Sequence, residues 1–160
     1  MRDLNRSQWD VFLSLLVTLF VVGLDRVAKV FFSRFLSSGE SLPVIRRVFH
    51  VTLVHNTGIA FGFFKDRGVV FIIIPLIAVA LLIYNIHYYH KNPQAVSRSY
   101  MIAFSLILGG ALGNLYDRIA YGHVIDFIDF RIWPVFNIAD SAITIGAVMI
   151  AWKCFRPGRV

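Results

Sequence analysis

The stretch VVFIIIPLIAVALLIYNIHYY, residues 69–89, contains no Asp, Glu, Lys or Arg. About twenty such residues are what an α-helix needs to cross the hydrocarbon core of a bilayer. Inside that core only helices and closed barrels can satisfy every backbone polar group, so this stretch alone excludes most architectures. Three further apolar segments accompany it: residues 11–35, which include VFLSLLVTLFVVGL; residues 99–116, SYMIAFSLILGGALGNLY; and residues 137–155. The last is short and carries Asp140 near its start. The fold expected is an all-α integral membrane protein with four transmembrane helices in a single domain spanning residues 1–160. The composition agrees: 58% of residues are hydrophobic and 16% charged, more apolar surface than a soluble domain of this size can bury.

Arg2 and Arg6 precede the first apolar run in the manner of a signal peptide, but no small-x-small cleavage site comes after it; DRVAKVFF does, and the segment reads as a retained anchor. Four spans put both termini on one side. Residues 36–68 and 118–136 then lie on the far side. The near side carries Arg2, Arg6, Lys91, Arg98, Lys153, Arg156 and Arg159 in short segments, a density that favours a cytoplasmic near side. The formal net charge of +7 raises nucleic acid as a partner. Because the basic residues sit at the ends of apolar runs, contact with anionic lipid is the expected reading and nucleic acid is not. Cys154 is the only cysteine, so no internal disulfide can form, and it reads as a packing residue.

In the first far loop, FHVTLVHNTGIAF is rich in β-branched and aromatic residues and suggests strands. Phe61, Phe63 and Phe64 are candidates for the membrane interface. Ser105, Gly109 and Gly113 recur every four residues in the third segment, a spacing that lets a second helix approach closely; Gly113 also adjoins Asn114 and could clear room at a site.

Polar groups are costly in a membrane and call for a partner or a function. Here they gather at one end of the spans: Asp25 and Lys29, Asn56, Asn114, Asp117 and Arg118, Asp126 and Asp129, then Asn137 and Asp140. Each has a simpler alternative. Asp25 and Lys29 are four apart and can neutralise each other. Asp117 and Arg118 can form a local charge pair. Asn137 can cap the fourth helix three residues before Asp140, whose charge the helix dipole favours. His55 and His123 read as isolated surface residues. None of these alternatives explains several acids converging. The sequence has no HExxH, no Cys/His cluster and no GxSxG, so neither a zinc site nor a serine nucleophile is expected. Aspartate is what remains, and two close carboxylates share a proton and activate water.

The blocks VHNTGIAFG at 54–62, GGALGNLYDR at 109–118, VIDF at 124–127 and FNIADSAI at 136–143, together with DRVAK at 25–29, resemble the signature blocks of the bacterial lipoprotein signal peptidases, the type II signal peptidases. They occur in the family's order across most of the chain. The resemblance implies an aspartyl endopeptidase of the cytoplasmic (inner) membrane. It implies four spans, cytoplasmic termini, a small β-rich extracytoplasmic cradle and a site toward the outer leaflet. Such an enzyme cuts diacylglyceryl-modified prolipoproteins on the amino side of the lipidated cysteine. The implied catalytic pair is Asp126 and Asp140. Asn56, Asn114, Asp117, Arg118 and Asn137 match positions lining the site, and Asp25 and Lys29 match a structural or substrate-positioning pair. No metal and no cofactor are called for; the partners implied are lipid-modified precursors and membrane lipids, with a monomer as the default.

One departure accompanies the resemblance. Only residues 127–136 separate Asp126 from Asn137, a short connection for the family. Asp129, three residues after Asp126, would share its face on a helical turn and so competes for the dyad role. The rival function is a small transporter or proton channel, against which stands the absence of any acid, Lys or Arg in residues 69–89.

Overall fold

The structure, a computed structural model, describes residues 6–58, 70–92 and 97–155. The candidate interfacial residues Phe61, Phe63 and Phe64 lie outside these, as do Arg2, Arg156 and Arg159. The element order is α1 (Arg6–Phe35), β1 (Ser41–Ile45), β2 (Phe49–Asn56), α2 (Val70–Lys91), α3 (Arg98–Tyr121), β3 (Val124–Asp129) and α4 (Ile138–Phe155). The chain is mostly helical. Among the described residues, α1, α3 and α4 are long and apolar enough to cross a membrane, and α2 contributes a shorter apolar stretch at Pro75–Tyr89.

α3 runs past Tyr116, the end expected from sequence. Nothing breaks it until Gly122, which takes the left-handed conformation (φ 75°) and donates its N–H to the Arg118 carbonyl, the usual way a helix is stopped. Arg118, the first residue of the expected far segment, is therefore helical, as is Asp117.

α3 is the central helix, packed against α1, α2 and α4. Close approach needs small residues. A Cβ on Gly110 would collide with the backbone oxygen of Ala139 in α4, and one on Gly113 would come within 2.8 Å of Asp25 Oδ2 in α1. Gly113 thus clears room for a carboxylate. On the other flank of α3, Leu108 and Leu115 bury themselves against Val79 of α2.

The three strands form an antiparallel sheet in the order β1-β2-β3. β1 contains Pro43, which cannot donate to a ladder on both sides, and is an edge strand. In β2 the register slips between Val51 and Val54, so two residues oppose one of β3, the signature of a bulge. Phe127 of β3 stacks on Phe32 of α1 at 4.7 Å, which seats the sheet on the end of that helix. After β3 the chain doubles back: Ile128 and Phe136 exchange backbone hydrogen bonds of 2.8 and 3.0 Å, and α4 begins two residues later.

Candidate active site

Asn137 precedes the first residue of α4 and sets the direction of the Asp140 side chain. Its side-chain oxygen accepts the Asp140 N–H at 2.9 Å, while Asp140 Oδ2 accepts the Asn137 N–H at 3.3 Å. This reciprocal capping uses up two of the orphan donors at the helix start and aims the Asp140 carboxyl back along the chain. The Asn137 amide nitrogen then reaches 2.7 Å to Asp126 Oδ1 and 3.0 Å to Asn114 Oδ1. Asn114 gives its own amide nitrogen to Asp140 Oδ1 at 2.7 Å. Two amides thus join the carboxyl groups of Asp126 and Asp140. Asn56, at the end of β2, holds the other oxygen of Asp126 at 2.9 Å, and its own oxygen accepts the Gly58 N–H.

The orientation of Asn114 is dictated by charge. Its oxygen receives donors from Asn137 and from Lys29 Nζ at 3.1 Å, so its NH2 has to face Asp140. Lys29 is fully buried, and all three of its ammonium protons are used: on Asn114, on Asp25 Oδ2 and on Asp117 Oδ2, the last two at 2.7 Å. Asp25 also accepts the Ala139 N–H at 3.0 Å and so caps α4 from α1. Asp117 pairs with Arg26 at 2.7 Å and accepts the Ile125 N–H at 3.2 Å, tying β3 to α3. Asp25 and Lys29 do neutralise each other, but as half of a larger buried network. Asp117 and Arg118 are not a local pair: Arg118 donates to the Asn114 carbonyl and interacts electrostatically with Asp140, Asp126 and Asp117.

Asp129 sits elsewhere. β3 is extended, so residues three apart point to opposite faces, and the helical-turn reading of VIDFID does not hold. Its carboxylate accepts the Thr52 hydroxyl at 2.7 Å and both the backbone N–H and the guanidinium of Arg131. The Thr52 and Arg131 donors hold its pKa below the ordinary value. His55 and His123 are not isolated either; their rings lie 4.2 Å apart. Arg26 is the network member that sequence reading missed. Its only local signal was a position beside Asp25, and adjacent residues on a helix face different ways.

Burial pushes the Asp126 carboxyl up to about 6; the charge of Asp140 adds to this, and the Asn56 and Asn137 donors oppose it. Between 3.8, the ordinary value, and about 6, the folded state binds more protons at this position than the unfolded state. Its contribution to stability is therefore greatest at low pH and is lost as pH rises through that window. We expect the detergent-solubilised protein to lose this increment between about pH 4 and about pH 6, and Asp126→Asn, isosteric with the protonated acid, to lack it. Thermal unfolding of both proteins across that range checks the point. The difference between them is the readout, because His55, whose pKa burial and His123 lower, changes stability with the opposite sign.

Known proteins can now be set beside this arrangement. The family described as Signal peptidase (SPase) II matches residues 17–156. The chain is 43% identical to the lipoprotein signal peptidase of Halothermothrix orenii, over 91% of this chain and 97% of that one. It is 41% identical to the lipoprotein signal peptidase of Moorella thermoacetica, over 89% and 93%. A solved structure of a bacterial membrane enzyme superposes with a TM-score of 0.82 at 34% identity, covering 92% of this chain and 96% of the other. With a family match along nearly its whole length and relatives this similar end to end, the chain belongs to the signal peptidase II family, a family of hydrolases.

Proposed function

We propose that this protein is the lipoprotein signal peptidase of a bacterial inner membrane. It removes the signal peptide from diacylglyceryl-modified prolipoproteins by hydrolysis on the amino side of the lipidated cysteine. The observation that carries the mechanism is the pair of amides, Asn114 and Asn137, joining Asp126 to Asp140.

Charge counting supports a single shared proton. The buried and half-buried ionisable groups around the site are four carboxyls, Asp25, Asp117, Asp126 and Asp140, and three cations, Arg26, Lys29 and Arg118. One proton on the pair makes the set neutral, which a low-dielectric site favours. Burial raises the proton affinity of Asp126, which favours it as the acid that carries the shared proton. In this reading Asp140 takes a proton from water while the Asp126 O–H polarises the scissile carbonyl. Asp140 then passes its proton to the leaving amine. Arg118 balances the negative charge that moves between the two acids and the developing oxyanion. Asn56, Asn114 and Asn137 hold the acids in place. Asp25, Lys29 and Asp117 hold the holders.

α2, 22 residues long, would extend roughly 33 Å as a helix, enough for a fourth span. The reading places both termini in the cytoplasm and the sheet on the outer surface as a cradle for the substrate. The precursor's acyl chains stay in lipid, and the protein works as a monomer among membrane lipids. The test is to incubate the reconstituted protein with a lipid-modified precursor and track the loss of its signal peptide on a gel. Cleavage of the lipidated precursor with little cleavage of the unmodified one is expected, undiminished by EDTA. Loss of activity in EDTA that zinc restores would reject the two-acid mechanism.

A further inference from the structure

Behind α3, on the side away from the two acids, α1 and α3 leave an open groove of about 560 Å³. Its lining is mostly apolar, with Leu19 and Val22 from α1 and Leu112, Leu115 and Ile119 from α3; Thr18 and Asp25 also border it. Leu19 to Arg26 measures roughly 10 Å along the helix, most of the ~15 Å depth of one leaflet's hydrocarbon. Trp9, an interfacial residue type, lies roughly 25 Å from Arg26 along α1. Arg26 therefore stands close to the opposite border of the hydrocarbon, where headgroups begin.

That end of the groove is chemically different. Arg26 lies over the rings of Tyr116 and Tyr121, 5.1 and 5.4 Å from their centroids. One guanidinium nitrogen bonds Asp117. Its Nε is buried, with no hydrogen-bond partner among the described residues. A donor left unpaired is costly, and the part of the Arg26 side chain that stays exposed, 26%, lines the groove. The groove thus asks for an occupant that is apolar for most of its length and ends in an oxygen acceptor, preferably anionic, at the level of Arg26. Guanidinium and phosphate meet that requirement in geometry and charge. The precursor's own acyl chains are poor candidates. They hang from a cysteine that must reach Asp126 and Asp140, whereas α3 turns Asn114 and Arg118 toward those acids and Leu112, Tyr116 and Ile119 toward the groove.

We propose that this groove is a binding site for an anionic phospholipid of the bilayer, one acyl chain lying between α1 and α3 and the phosphate held by Arg26. The bound lipid braces the α1–α3 contact. Through Arg26 and Asp117 it braces Lys29 and Asn114, which position Asp140. The proposal requires only that the helices lie in a bilayer and stands apart from the peptidase reading.

The test uses the full chain in detergent, stripped of lipid and monitored by thermal unfolding. Added dioleoylphosphatidylglycerol is expected to raise the unfolding temperature by about 5 °C or more at saturating levels. Dioleoylglycerol, with the same chains and no phosphate, and glycerol 3-phosphate, with the phosphate and no chains, are expected to leave it unchanged. Val22→Trp fills the groove one helical turn before Arg26 and should remove the shift. Arg26→Gln should make the phospholipid and the diacylglycerol equivalent. Equal shifts from both lipids on the native protein, or a full shift on the filled-groove variant, would overturn the site. Should Val22→Trp fail to fold, Leu19→Trp, at an exposed position on the same wall, replaces it with the same outcome; should Arg26→Gln fail to fold, the comparison of phospholipid with diacylglycerol on the native protein carries the headgroup test.

Discussion

Asp126→Asn and Asp140→Asn are each expected to reduce precursor cleavage by about three orders of magnitude or more, while both variants still insert and fold. The size of the loss reflects the division of labour. With Asn at 126, the O–H that would polarise the scissile carbonyl is gone. With Asn at 140, nothing takes the proton from water. Because the two act as one unit, the double variant should be no worse than either single one. Folding survives because Asn keeps the shape of a protonated carboxyl, so the clasp with Asn114, Asn137 and Asn56 keeps most of its bonds. The measurement is turnover of a lipidated precursor, paired with gel filtration and thermal unfolding to show an intact protein. Asp129→Asn, altered in a carboxylate committed to Thr52 and Arg131, is the matched control and should retain activity. Near-native turnover by either dyad variant would dismiss the mechanism.

The largest loss of stability is expected from Lys29→Met. The side chain is completely buried and, among the described residues, is the only ammonium bridging Asp25 and Asp117. Removing it leaves two carboxylates facing each other, with Arg26 paired to Asp117 and Arg118 acting at longer range. Breaking a buried ion network from one side costs about 3–5 kcal/mol, or roughly 10 °C in unfolding temperature for a chain of this size. Activity should fall as well, since Asn114 loses the donor that sets its orientation. Adding Asp25→Asn to Lys29→Met should recover part of the stability by removing one uncompensated charge, though little of the activity. A single variant as stable as the native protein would show that the network is not what holds α1 to α3.

The sequence made some of this legible and hid the rest for physical reasons. The apolar segments announced themselves by length. The crowding of polar residues at one end of the spans, and Asn137 three residues before Asp140, could be read from the expense of such groups in lipid and from the chemistry of helix caps. VIDFID misled because β3 is buried on both faces: all of its residues but Ile128 are buried, so the apolar–polar alternation that marks a half-exposed strand is missing. Acids three apart then mimic a helical period. Asp117 and Arg118 looked like the end of the third helix because charge ends most membrane helices. Here Lys29 and Arg26 neutralise Asp117 from α1, about ninety positions away in the chain, and no local pattern reports that. The pairing of His55 with His123 likewise depended on a strand register set by the fold.

The exchange of backbone hydrogen bonds between Ile128 and Phe136 bears on how the protein can be altered. The two acids are set by that clamp and by the amide pair, and the few residues looping out beyond it contribute little to their alignment. Extending such a loop is thermodynamically mild, about 0.6 kcal/mol for each doubling of its length. Ile132 and Trp133, the tip, stand almost wholly in the open at 92% and 70% exposure. Lengthening this connection is expected to cost little stability, and a fluorophore or an epitope grafted at Ile132 and Trp133 is expected to leave the fold intact.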